Sequence, residues 1–181
     1  MSSDVVNFLP VLALVLTREE IMTTNSNKPS ELNDYLQPHV RLLLDSFHNW
    51  TGKNLIHQEL SGNEQARELF YAPFVVLSHD SARDPLLNYG NEAGLHLFEL
   101  NWEELISLPS RFTAEGLHRD ERARLLRRVT EHGYIGDYTG VRISRAGRRF
   151  LIDQAIVWQV RDEQGGPYGQ AATFSRWRFL D

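Results

Sequence analysis

Arginine, glutamine and histidine are the residues of this sequence whose types and spacing suit ligand chemistry. Arg142 stands between Val141 and Ile143 in an alternating stretch, so it belongs to a strand rather than to a solvated loop. Arg111 follows Pro109 and Ser110 directly, and Arg148 and Arg149 lead into the run "RRFLIDQAIVWQVRD". A guanidinium in such surroundings needs an anion. Glu115, Asp137 and Asp153 could supply it and tie a loop to a sheet, or Arg111 and Arg142 could act together as a clamp for an anionic ligand. Amides raise the same question. By period two, Phe150, Ile152, Gln154, Ile156, Trp158 and Val160 share one strand face, with Gln154 its odd polar member. Gln170, Ala172 and Phe174 share a face of the next strand. A buried amide without partners costs on the order of a few kcal/mol, so each glutamine meets protein, water or a ligand. Ala171 and Ala172 leave room for a packed helix or for a ring. The candidate ligand-binding set is Arg111, Glu115, Arg142, Gln154, Gln170, Trp158, Tyr89 and His79.

Covalent and metal chemistry have less behind them. Ser78, His79 and Asp80 are adjacent, and neighbouring strand residues point to opposite faces, so they cannot form a triad among themselves. There is no GxSxG, Walker or GxGxxG pattern, and no HxH or HExxH spacing. No catalytic residue and no metal ligand is assigned on that basis. An enzyme built on Arg111, Glu115 and His79 is the weakest of three readings. His96, on a short helix, is the type of residue that could ligate haem, and His132 at a helix C-terminus is explained by the helix dipole.

Composition bounds the partners. The chain has 181 residues, 41% hydrophobic and 24% charged, with a net charge of −5. That suits one domain with a real core, and it provides no overall attraction to nucleic acid or anionic membrane. The arginines of the 119–131 segment are interleaved with Asp120 and Glu121, which reads as a solvated face. Cysteine is absent, which removes disulfides, thiolate sites and cysteine–flavin photochemistry, and a cytoplasmic location is expected. The apolar run Phe8 to Leu16 is too short to span a bilayer and lacks the flanks of a secretory signal. It reads as a docking helix, or as sequence upstream of a true start at Met22. Residues 1–31 are accordingly an N-terminal extension and linker.

The elements that must position these side chains follow from periodicity. Leu32, Leu36, Val40, Leu43, Phe47 and Trp50 alternate spacings of four and three, one face of an amphipathic helix over 32–52 with Gly52 as its C-cap. Pro38 either kinks it or sits in the first turn of a second helix. The stripe covers the domain's own sheet or a second copy, and the latter would make it a dimer interface. Ser61 with Glu64 caps a short helix, "FVVL" is a buried strand, and "LLNYGN" is a second. Asn91, and then Asn101 with Glu104, cap two very short helices, and a longer one runs from Arg119 to Glu131. "YIGDYTGVRIS", "RRFLIDQAIVWQVRD" and "YGQAATFSRWRFL" are strands joined by hairpin turns. Helices grouped between strands argue for α+β with one five-stranded antiparallel sheet. The short helices bury too little to cover a sheet and serve better as one wall of a cavity.

This order is that of a PAS domain, and the stretches "LFYAPFVVLSHD", "DPLLNYGNEAGLHLFELNWEELISLPSR", "GYIGDYTGVRISRAGRRF", "VWQV" and "GQAATF" together resemble the MEKHLA domain. That PAS-related family occurs as small stand-alone proteins and at the C-terminus of plant class III homeodomain–leucine-zipper transcription factors. The resemblance covers residues 32–181. It implies a PAS-like fold and a sensory or regulatory role, with no catalytic residues to carry over, and it does not bring DNA binding with it. Gln170 resembles the flavin-facing glutamine of some PAS relatives. The resulting expectation is a non-enzymatic module that binds a small molecule between sheet and short helices and signals through protein contacts. The cofactor is unspecified, flavin and haem being two candidates, and the partner is a homodimer mate or a separate effector protein. The alternative is a ligand-free interaction or dimerisation module.

Overall fold

A computed structural model describes residues 27–114 and 119–181. The extension before residue 27, with its apolar run and Met22, lies outside the described residues, as do Glu115 and His118. The first helix, α1, spans Gln37–Thr51 with Pro38 in its first turn, where the missing N–H is no loss. Before it, Glu31–Leu36 forms a 3-10 segment in which Asp34, Tyr35 and Leu36 take left-handed backbone angles, so the helix does not reach back to Leu32. Gly52 ends α1 in the left-handed region, its N–H donating to the His48 carbonyl at 2.8 Å.

Helix α2 (Gly62–Phe70) starts at the Ser61–Glu64 capping box. Strand β1 (Val75–Asp80) is buried along its whole length, and β2 (Leu87–Gly90) pairs with it. The two short helices follow as α3 (Glu92–Phe98) and α4 (Trp102–Ser107). Asn91 caps α3 through Gly94 N–H. It also accepts from Val76 N–H and donates to the Leu69 and Phe74 carbonyls, so one buried amide joins α2, β1 and α3. Asn101 and Glu104 cap α4 reciprocally at 3.0 and 2.8 Å. A 3-10 turn (Ser110–Thr113) and helix α5 (Arg119–His132) complete the helical part. Gly133 ends α5 with φ +87°, and a Cβ there would stand 2.3 Å from the Trp50 ring, so both backbone and packing require glycine.

The remaining strands are β3 (Tyr134–Ile143), β4 (Arg149–Arg161), β5 (Pro167–Phe174) and β6 (Arg176–Phe179). Every pairing is antiparallel, in the order β2-β1-β5-β4-β3, with β6 alongside the start of β4. The chain bends at Ser175, so the last predicted strand is two and the sheet has six members rather than five.

Helix α1 lies across one sheet face. Leu36, Val40, Leu43 and Phe47 are buried there, and Phe47 meets the Trp158 ring edge-on at 5.0 Å. Trp50 donates its indole N–H to the Gln159 carbonyl at 2.9 Å, while Leu32 is fully exposed. The stripe read as a dimer interface is thus occupied within the protomer, because a six-stranded sheet needs cover on this face. Helix α3, the 3-10 turn and α5 lie over the opposite face.

Candidate functional site

Between that second face and its helices is a cavity of ≈ 60 Å³. The sheet contributes Leu77 and His79 from β1, Tyr138 and Arg142 from β3, Ile152 and Val157 from β4, and Gln170, Ala172 and Phe174 from β5. The roof is Phe98 of α3, Thr113 of the 3-10 turn, and Leu125 and Leu126 of α5. Only the first of the two short helices forms a wall, since α4 packs on β2 instead.

Arg142 is buried at 7% exposure. Its Nη1–H donates to its own strand's Val141 carbonyl at 2.8 Å, and the guanidinium lies over the Tyr138 ring, 4.9 Å from the centroid. Gly140 makes this stack possible, because a Cβ there would fall 2.1 Å from the Tyr138 hydroxyl. Gln170 is also buried, and its Nε2 donates to the Leu126 carbonyl at 3.0 Å and to the Thr130 hydroxyl at 2.9 Å. The Leu126 carbonyl can only accept, which fixes the amide's orientation and leaves Oε1 buried without a hydrogen-bond partner among the described residues. His79 donates Nδ1–H to the Asp80 carbonyl at 2.8 Å.

Other sequence-predicted site residues are elsewhere. Arg111 is 42% exposed in its side chain, pairs with Asp84 and stacks on Phe112, so the two-arginine clamp does not form. Gln154 is exposed, with φ +53°. Between the pairs Gly140↔Ile152 and Tyr138↔Ala155, β4 carries one residue more than β3. This bulge reverses the side-chain alternation. Ile152 and Val157 therefore face the same cavity, and Trp158 turns to the α1 face. Tyr89, opposite Ser78, also lies away from the cavity. Its ring stacks on His39 at 5.5 Å and meets Trp102 edge-on at 6.5 Å, and burial pushes its phenol up. Arg148 pairs with Glu99, and His96 is exposed on α3, turned from the cavity.

A polar chain that residue spacing does not reveal runs along the α1 face. Tyr168 O–H meets His39 Nδ1 at 2.9 Å, His39 Nε2 meets Ser78 Oγ at 3.1 Å, and Ser78 donates to Asn88 Oδ1 at 2.6 Å. Because the Asn88 oxygen accepts, Ser78 receives the Nε2 proton; with the ring kept neutral by its burial, Nδ1 accepts from the Tyr168 hydroxyl. Desolvation lowers the pKa of His39 to about 3. The signal in the sequence was its place three residues after Leu36 and one before Val40, inside the apolar stripe.

A flavin or haem does not fit the cavity as it stands. Pockets for such ligands run from about 300 Å³ upward, several times this volume. Among the described residues no helix is long and apolar enough to cross a membrane.

An antiparallel sheet covered by short helices and a longer one, with a cavity beneath them, is the PAS architecture, and solved structures agree. A PAS domain of a protein from Colwellia psychrerythraea superposes with a TM-score of 0.55 at 13% identity, covering 65% of this chain and 94% of that one. An RNA-binding light-oxygen-voltage receptor gives 0.55 at 19% identity, over 71% of this chain and 35% of that one. Within that class the sequence places the chain further: the MEKHLA domain profile matches residues 37–179, and the chain belongs to the MEKHLA domain family. Curated relatives include the homeobox-leucine zipper proteins HOX10 of Oryza sativa subsp. indica, 26% identical over 144 residues, and ATHB-15 of Arabidopsis thaliana, 23% identical over 144 residues. Each match takes 78% of this chain and 17% of the relative, so the chain spans about a sixth of their length.

Proposed function

We propose that this protein is a non-enzymatic sensory module of the cytoplasm that binds a small molecule in the cavity between sheet and helices. Occupancy would be passed on through contacts with a second protein. One observation carries the reading: Arg142 and Gln170 bring an ionic donor and an unused amide acceptor to the same buried cavity. Interiors satisfy their polar groups, and two such groups around one void mark a place where a ligand or ordered water completes them. The family supports a modular role, since the shared segment is a small part of the homeobox-leucine zipper proteins it matches. Native mass spectrometry of the purified full chain tests the reading. A bound mass that is released on denaturation is expected. Protein of the bare chain mass, with no stabilisation by any of a broad panel of small metabolites, would count against it.

A ligand-free interaction module is the second reading. It is favoured by the small size of the cavity and by β6, where Arg176, Trp177, Arg178 and Phe179 are all exposed. The same spectrum records oligomeric state, so it distinguishes the two.

A further inference from the structure

We infer that the ligand of this cavity is a small hydroxy-carboxylate, its carboxylate held by Arg142 and its hydroxyl donating to Gln170; this rests on the binding reading above. Charge comes first. A guanidinium stays ionised inside proteins, and burying one without an anion costs several kcal/mol. Arg41, Arg111, Arg145 and Arg148, all substantially exposed, pair with carboxylates. Arg142, the buried one, meets none among the described residues, and has only the Val141 carbonyl and the Tyr138 ring. Stacking over an aromatic face offsets part of the desolvation and leaves the edge N–H groups available. The planar fork of those groups matches a carboxylate.

Gln170 adds the second requirement. Both of its amide hydrogens are engaged by α5, through Leu126 and Thr130, so the group it lacks is a donor. No Asp or Glu lines the cavity among the described residues, which disfavours an ammonium as that donor and favours a hydroxyl. The remaining walls are mostly aliphatic and aromatic, so the rest of the ligand is apolar. Size sets the last limit. One water needs roughly 10–15 Å³, so a cavity of ≈ 60 Å³ takes about four to six non-hydrogen atoms. A three-carbon 2-hydroxy acid, with about six non-hydrogen atoms, meets all of these conditions.

The test uses the full chain with matched probes: lactate, propionate (no hydroxyl), lactamide (no charge) and 1-amino-2-propanol (opposite charge). Affinity is read by calorimetry and by ligand-observed NMR. Lactate is expected to bind, with propionate and lactamide each weaker by about tenfold or more. Arg142→Met should abolish lactate binding while leaving the melting temperature unchanged or higher, because a buried unpaired charge is removed. Gln170→Leu should erase the preference for lactate over propionate. If Arg142→Met does not fold, Ala172→Leu serves instead, since it fills the cavity without touching the charge. Lactamide or the amine binding as well as lactate, or Arg142→Met keeping its affinity, would overturn the hydroxy-carboxylate class and leave the binding site standing. Failure of every probe at about 1 mM, in protein with no bound mass in native spectra, would overturn both.

Discussion

His39 is neutral in the folded chain, and that determines how the fold responds to acid. In the unfolded chain its pKa returns to the ordinary value of 6.5, whereas burial lowers the folded value to about 3. The unfolded state therefore binds the proton first. Stability is unaffected above about pH 6.5 and falls as the pH drops below it, approaching about 1.4 kcal/mol per pH unit. The carboxylates with lowered pKa, Glu64, Glu99 and Glu104, begin to contribute only nearer the ordinary value of 4.5, so among these four groups His39 alone acts between about pH 6.5 and 4.5. His39→Leu removes the titration and leaves the Tyr168 and Ser78 hydroxyls without this partner, which costs roughly 2 kcal/mol near neutrality. Urea titrations at several pH values should show the wild-type midpoint falling between pH 6.5 and 4.5 and the variant's staying flat, the two meeting at about pH 5. Parallel curves would mean that His39 is not the buried neutral base described.

At the scale of the element, the bulge in β4 decides which residues reach the cavity. Gln154 occupies it at φ +53°, where a side chain collides with its own carbonyl, and it is exposed. Gln154→Gly should stabilise the domain by about 0.5–1 kcal/mol, and Gln154→Val should cost about 1 kcal/mol or more, because β-branching adds to the strain. Chemical denaturation measures both. A destabilised glycine variant would show that the Gln154 side chain holds contacts the bulge needs. This one residue also explains the limits of reading the site from sequence. Caps were legible because their spacing is local: Ser61 with Glu64, Asn91, and Asn101 with Glu104 all act as expected. The element order, antiparallel sheet and apolar stripe were legible from periodicity. An inserted strand residue has no compositional signature in "LIDQAIV", so strict alternation placed Gln154 inside and Trp158 beside it, and the bulge reversed both. Tyr89 and Arg111 were misplaced for another reason. Whether a strand residue faces one layer or the other, and whether an arginine finds Asp84, depends on contacts distant in space that spacing cannot encode.

For the whole molecule, the informative feature is that β1 and β5 are shared by two layers. Successive residues of β1 serve opposite faces: His79 borders the cavity, while the Ser78 hydroxyl holds His39 of α1. On β5, Ala172 lines the cavity, while Ala171 pairs across to Trp158, whose ring meets Phe47. A ligand bound as proposed would act on strands whose other face carries α1, with one backbone thickness between the two layers. Coupling of this kind requires a second arrangement that occupancy biases, and typical values are about 1–3 kcal/mol. Filling the cavity with Ala172→Met imitates occupancy without any assumption about the ligand. Hydrogen exchange should then slow in α1, most clearly at Val40 to Phe47, as well as in α5, where local opening limits exchange. Adding Ser78→Ala cuts the link to His39, and in the double variant α1 should lose its response while α5 keeps it. A change confined to α5 in both proteins would show that α1 is a passive cover. The module's output would then have to leave through the helical roof or the exposed β6 strand instead.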